Sequence, residues 1–178
     1  MKFAIGHEFD CDAKTYWEIF FDLDYQKEMY SGLNIKERTV LLFEEDDKEI
    51  RRRIKVVPQR DLPGALKSLL KGDLGYIEHN VYHKGKDVMD VRIEPTLMAD
   101  RFKMSAEFRV VTLGPKRCRR EFVGEIKVSV PLLGGKIEDL VMTDVRKSYD
   151  QAAVTTAKWV AKKKQGRGQF LRRSTFGL

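Results

Sequence analysis

The sequence predicts an α+β domain: a curved seven-stranded antiparallel sheet wrapped around a long C-terminal helix, with two short helices after the first strand. Three observations lead there. From Lys136 to Lys164 there is no Gly and no Pro, and apolar residues recur at Ile137, Leu140, Val141, Val145, Ala152 and Trp159. That spacing suits one face of an amphipathic helix. The rod would be roughly 43 Å long at about 1.5 Å per residue, in a domain whose radius of gyration is roughly 16 Å. Almost all of residues 35–130 reads instead with the period of two that belongs to strands. Between the two patterns stands the break Pro131-Leu132-Leu133-Gly134-Gly135. A lone long helix needs a large apolar surface to bury its stripe, and a curved sheet supplies one.

The elements follow in order. Lys2 to Phe9 alternates with Phe3, Ile5, His7 and Phe9 on one face. Asp12 is placed to cap a short helix, Ala13 to Phe21, whose apolar side is Tyr16, Trp17, Phe20 and Phe21. Asp22-Leu23-Asp24 restarts the chain into a second short helix ending near Ser31-Gly32, so the pair forms a V-shaped hairpin. Ile35 to Glu44 and Lys48 to Val57 are strands about the acidic turn Glu45-Asp46-Asp47. Arg51, Arg52, Arg53 and Lys55 mark the second of these as a solvated or edge strand. A helical insert, Leu62 to Lys71, interrupts the strands. Tyr76 to His83, Asp87 to Glu94, Arg101 to Thr112 and Arg117 to Val130 resume the sheet across turns rich in Gly and Pro. In the sixth strand Phe102, Met104, Ala106, Phe108 and Val110 share one face, opposite Arg101, Lys103, Ser105, Glu107 and Arg109. One face is apolar and the other wet, and the long helix is expected to cover the apolar one.

Length and composition set bounds. At 178 residues one domain is the default, here residues 1–164, followed by a basic tail, 165–178, read as a flexible extension. No stretch approaches 18 consecutive apolar residues, and the amino terminus lacks the apolar run of a signal peptide. Cys11 and Cys118 suit a reducing cytoplasm, and whether they meet in space is open at this stage. The net charge is +7, and Lys158, Lys162, Lys163, Lys164, Arg167, Arg172 and Arg173 account for all of it. The body is therefore balanced, which argues against nucleic acid as a partner.

The order of strand, two short helices, six strands and a long terminal helix resembles the helix-grip fold. That is the superfamily of START lipid-transfer domains, birch-pollen-type allergens and polyketide cyclases. Ala13-Lys14-Thr15-Tyr16-Trp17 followed by Asp22-Leu23-Asp24-Tyr25 is similar to the superfamily's opening pattern. Gly134-Gly135-Lys136-Ile137-Glu138 is similar to its Gly-rich entry into the terminal helix. Val56-Val57-Pro58 through Leu62-Pro63 most resembles an uncharacterised bacterial branch, a START-like domain of unknown function.

The resemblance implies a cavity between helix and sheet that takes a lipid, sterol or polyketide-like molecule, whose burial contributes about 25 cal/mol per Å². Its expected lining is Phe102, Met104, Phe108, Phe122, Ile126 and Val128 from the sheet, with Val141, Val145 and Ala152 from the helix. A fully packed core satisfies the same pattern. The insert sits where such domains carry a lid, with Leu62, Leu66, Leu69 and Leu70 as its apolar contacts, although a connecting helix would bury the same leucines. His7, Tyr82, Arg120 and Asp144 are the polar groups expected in or near the cavity. For Arg120 and Asp144 a salt bridge or a rim position is the simpler reading, because buried charge is costly unless paired.

No metal site, cofactor or catalytic set is expected. His79 and His83, four apart on a strand, lie roughly 13 Å from one another, too far to share an ion. No nucleophile elbow, phosphate-binding glycine loop or Cys/His cluster is present. The basic tail, with Lys162, Lys163, Lys164, Arg167, Arg172 and Arg173, suits an anionic membrane surface, at about 1 kcal/mol per basic residue. The expectation is a cytoplasmic, ligand-binding protein peripheral to a membrane. A polyketide cyclase/aromatase-type enzyme or a ligand-free, chaperone-regulator-like module stands as the alternative.

Overall fold

A computed structural model describes the backbone of residues 1–59 and 75–174 and the side chains up to residue 165. Its elements are β1 (Lys2–Phe9), α1 (Ala13–Phe21), α2 (Leu23–Ser31), β2 (Ile35–Glu45), β3 (Glu49–Pro58), β4 (Tyr76–His83), β5 (Val88–Pro95), β6 (Phe102–Gly114), β7 (Arg117–Val128) and α3 (Gly134–Ser174). The insert with Leu62, Leu66, Leu69 and Leu70 lies outside the described residues, as do the side chains of Arg167, Arg172 and Arg173.

The strands form one antiparallel sheet in the order β1-β7-β6-β5-β4-β3-β2. Neighbouring strands from β2 to β7 are sequential hairpins, and β1 returns to pair with β7, Phe3 facing Gly124 and His7 facing Arg120. At Gly124 the neighbouring strand approaches closely: a Cβ there would stand 2.3 Å from the Ser105 carbonyl oxygen and 2.6 Å from the Ala106 Cβ. No side chain fits.

The short helices start where their caps dictate. Asp12 Oδ1 accepts the Thr15 N–H at 2.7 Å, and Asp22 Oδ1 accepts those of Asp24 and Tyr25 at 2.9 and 3.0 Å. Each cap is worth about 1 kcal/mol. Helix α3 is longer than the Gly-free run, continuing past Lys164 to Ser174. Its sheet contacts concentrate on β1 and β7, and it also packs on α1 and α2. Tyr25 and Thr156 share a buried hydroxyl contact of 2.8 Å, and the Trp159 indole donates to Glu28 at 2.8 Å.

One expectation is corrected. Strand β3 is neither solvated nor at an edge: it lies between β2 and β4. Arg51 and Arg53 do face solvent, but Arg52 points inward with Ile50, Ile54 and Val56 and is only 6% exposed. Three consecutive arginines conceal one that the pleat turns into the core.

Candidate functional site

The register defines a row of inward-facing residues across the sheet. Arg52 faces Asn80, Asn80 faces Val91, Val91 faces Ala106, Ala106 faces Gly124 and Gly124 faces Phe3. Two polar groups interrupt this surface, one at each end.

At the β1–β7 end, Arg120 is 3% exposed. Its Nη2 donates to His7 Nδ1 at 2.8 Å and to the Tyr149 carbonyl at 2.9 Å. The guanidinium lies over the rings of Phe9 and Tyr149, 5.5 and 5.0 Å from their centroids. His7 Nε2 stands 2.8 Å from Asp150 Oδ1 on α3. A guanidinium can only donate, so His7 Nδ1 accepts and Nε2 carries the proton given to Asp150. Arg120 Nε and the buried Tyr16 hydroxyl lack hydrogen-bonding partners of good geometry.

At the β3–β4 end, Arg52 lies over Phe20 and Phe21 of α1, 5.3 and 5.2 Å from the ring centroids, and its Nη2 points at Met89 Sδ, 3.7 Å away. Burial pulls its pKa below the usual guanidinium value. Asn80, 2% exposed, donates through Nδ2 to Glu78 Oε1 at 2.8 Å, and its Oδ1 has no partner. Arg38 stacks over Tyr30, 3.9 Å from the ring centroid, with its Nη2 3.5 Å from Gln26 Oε1 and its buried Nε unpartnered.

Between these groups the interior is aromatic. Trp17 meets Tyr82 at 4.4 Å, Phe20 at 5.3 Å and Phe108 at 5.5 Å between ring centroids, while Tyr149 stacks on Phe122 at 4.7 Å. Tyr30, Tyr149, Ile93 and Ala106 are only half-buried. Yet burial raises the Tyr30 hydroxyl above its ordinary value and the Tyr149 hydroxyl well above it, against the opposing pull of Arg38 and Arg120 respectively. Pairing between β5 and β6 ends at Ile93 and Met104. Around that end lies an open cleft of about 360 Å³ with a mixed lining, Ile93, Pro95, Phe102 and Met104 beside the polar Arg92, Glu94, Lys103 and Ser105. An open depression of about 500 Å³ on α3, lined by Thr143, Arg146, Lys147, Asp150, Gln151 and Val154, belongs to one helix face.

The residues expected from sequence are placed as follows. Met104, Phe108, Phe122, Ile126 and Val128 are buried in the core with Ala152, and Phe102, Val141 and Val145 pack against it half-buried. His7 and Arg120 meet directly, whereas Tyr82 belongs to the Trp17 cluster. Asp144 is half-buried on α3 and has interactions of its own. Lys162, Lys163 and Lys164 lie 3.6, 2.9 and 3.9 Å from Glu28, Glu18 and Asp10, so α3 is tied to α1, α2 and the turn before them. Sequence reasoning missed Arg52, Asn80, Glu78, Tyr30 and Tyr149. The alternation of β3 and β4 held the signal for the first three: once Ile50, Ile54 and Val56 are taken as inward, Arg52 must follow, and Asn80 and Glu78 pair across from that face.

Among the described residues no His/Cys/Asp/Glu cluster could hold a metal ion. His79 pairs with Glu94 at 2.9 Å, and His83 with Glu49 and Asp90 at 3.0 and 2.8 Å. Cys11 and Cys118 do meet, as free buried thiols with sulfurs 3.9 Å apart. Their contact lowers the Cys11 pKa and raises that of Cys118. No described helix is long and apolar enough to cross a membrane.

A family model described as "Protein of unknown function (DUF2505)" matches residues 5–160. No curated protein matches the chain in sequence. Similar solved structures include the Zhui aromatase/cyclase from Streptomyces sp. R1128, 13% identical, covering 92% of this chain and 94% of that one with a TM-score of 0.64. A START superfamily protein from Mycobacterium smegmatis is 16% identical, with 90% and 97% covered and a TM-score of 0.55. Norcoclaurine synthase from Thalictrum flavum, solved with dopamine and hydroxybenzaldehyde, is 14% identical, with 91% and 88% covered and a TM-score of 0.62. At these identities the likeness is one of fold.

Proposed function

The chain belongs to the family described as "Protein of unknown function (DUF2505)" and has the helix-grip fold of the START-like superfamily, and on that premise we propose that it binds a hydrophobic small molecule between the sheet, the α1–α2 hairpin and α3, as a carrier or sensor. One observation carries the reading. Tyr30, Tyr149, Ile93 and Ala106 keep accessible surface, although all four belong to the interior and burial raises both tyrosine hydroxyls. In this reading their accessible surface borders an internal space rather than bulk water. Small Ala106 leaves room above the middle of the sheet, and the cleft between β5 and β6 offers a way in.

In this reading Phe102, Met104, Phe108, Phe122, Ile126 and Val128 form the sheet wall, with Val141, Val145 and Ala152 opposite. The basic tail, with Lys162, Lys163, Lys164, Arg167, Arg172 and Arg173, docks on an anionic cytoplasmic membrane surface. Exposed ion pairs such as those of the three lysines are worth about 0–1 kcal/mol each and are readily exchanged for lipid head groups.

A second reading, an enzyme of the cyclase/aromatase type, draws on the convergence of Asp150, His7, Arg120 and Tyr149 and on the enzymes sharing this fold. It is the weaker one. Both nitrogens of His7 are engaged, one by a guanidinium and one by a carboxylate, so neither is free to take a proton from a substrate.

Native mass spectrometry of the purified protein, with organic extraction of what accompanies it, tests the proposal. A discrete apolar molecule bound one to one supports it. A bare mass that persists when long-chain lipids, sterols and polyketide-like aromatics are added refutes it, and favours a ligand-free interaction module.

A further inference from the structure

The β3–β4 polar group points to the chemistry of the ligand. Arg52 is 6% exposed and comes from the middle of an interior strand. Its contacts are the Met89 thioether and two phenyl faces, and no described carboxylate lies within ion-pair distance of it. The Arg38 guanidinium stands close enough to depress it further, while Glu78, bonded to Asn80, and Tyr30 act in the opposite sense. Arg120, at the other end of the same interior, likewise has a histidine and a carbonyl as partners rather than a carboxylate. Among the described residues Arg38 and Glu78 are the charged groups that act on Arg52, one repelling and one attracting it. Aromatic faces and a thioether compensate a buried cation only in part. Beside it Asn80 Oδ1 is a buried acceptor without a donor.

We propose that Arg52 is an anion receptor and that the bound molecule is an amphiphile with an anionic head group, a carboxylate or a phosphate, held between Arg52, Arg38 and Asn80. This rests on the ligand-binding reading above. A guanidinium meets either anion through two parallel N–H···O bonds, and Asn80 Oδ1 accepts from a neighbouring hydroxyl of the ligand or from water. The apolar part then runs along Val91, Ala106 and Ile93 toward the cleft walled by Phe102 and Met104. The same positive interior disfavours amines and gives a neutral lipid nothing to pair with Arg52.

The experiment compares cis-parinaric acid with its methyl ester by fluorescence titration of the whole protein and of Arg52→Met and Arg52→Lys, with folding checked by circular dichroism. The acid is expected to bind the unaltered protein at least about tenfold more tightly than the ester. Arg52→Met is expected to erase that preference while leaving ester binding in place, and Arg52→Lys to keep part of it. Equal affinity of acid and ester for the unaltered protein overturns the anion receptor and leaves the hydrophobic site standing. So does an acid preference that survives in folded Arg52→Met. If neither probe binds the folded protein, the anion receptor for a long-chain amphiphile falls. Should Arg52→Met not fold, the comparison in the unaltered protein still decides. Competition by dodecanoic acid, dodecyl phosphate and dodecanol identifies the head group: displacement by either anion and not by the alcohol supports the proposal, and equal displacement by dodecanol overturns it.

Discussion

The Arg120 guanidinium donates to His7 Nδ1 at 2.8 Å, deep between β1 and β7, and this contact fixes which nitrogen of the imidazole holds the proton. The far nitrogen gives that proton to Asp150, which is exposed on α3. The two links should therefore differ in worth. His7→Ala leaves a buried guanidinium donor without its acceptor and is expected to cost about 1–3 kcal/mol. Asp150→Ala removes a solvated partner and is expected to cost about 0–1 kcal/mol. Urea denaturation of the two variants checks this. Equal losses would mean that the chain acts as one unit rather than as a buried bond with a surface extension.

The two glycines that open α3 are not equivalent. A Cβ on Gly134 would stand 2.3 Å from the Val128 carbonyl oxygen, whereas one on Gly135 meets nothing within 4 Å. Gly134→Ala is expected to destabilise the fold by about 1–3 kcal/mol through forced backbone movement. Gly135→Ala is expected to be neutral or to stabilise by about 0.4–1 kcal/mol, since it only restricts the unfolded chain. Thermal melting of the pair reads the difference, and similar behaviour of the two would contradict the close approach.

Five of the six tyrosines, Tyr16, Tyr25, Tyr30, Tyr82 and Tyr149, have hydroxyl pKa values raised chiefly by burial. Below about pH 10 these phenols are protonated in both the folded and the unfolded chain, and their contribution is fully present. As pH rises further, the unfolded chain gives up protons that the folded one retains, so stability falls through the raised folded values. Alkaline unfolding is expected to coincide with the main rise in tyrosinate absorbance. A reversible, early titration of most tyrosines, with circular dichroism unchanged, would contradict their burial.

How much of this was legible in the sequence depends on the residue. The strand periods, the Asp12 and Asp22 caps and the Gly-Gly entry to the last helix were local signals, and each element they marked is present. The inward face of β6 and β7 could be read because its alternation is clean, from Phe102 to Val110 and from Phe122 to Val128. Arg52 could not be read the same way: a run of three arginines looks solvated until β3 is known to lie between two strands. The extent of α3 on the sheet was also hidden. An apolar stripe shows that a helix is covered but not by which strands, and here β1 and β7 take most of it, while α1 reaches β3 and β4 through Phe20, Phe21 and Trp17. Tyr149 escaped notice because its neighbours Phe122 and Arg120 are distant in sequence and reach it only through the register of β7.

The internal space is the central claim, and Ala106 is the place to test it. Ala106 lies on the inward row of a central strand and is nonetheless half-buried. The measurement is the melting temperature of Ala106→Leu. If the residue borders an open cavity, the larger side chain finds room, and the melting temperature is expected to stay the same or rise. If the interior above it is filled, overpacking should cost about 1–3 kcal/mol and lower the melting temperature by about 2–10 °C, and the cavity account would be wrong.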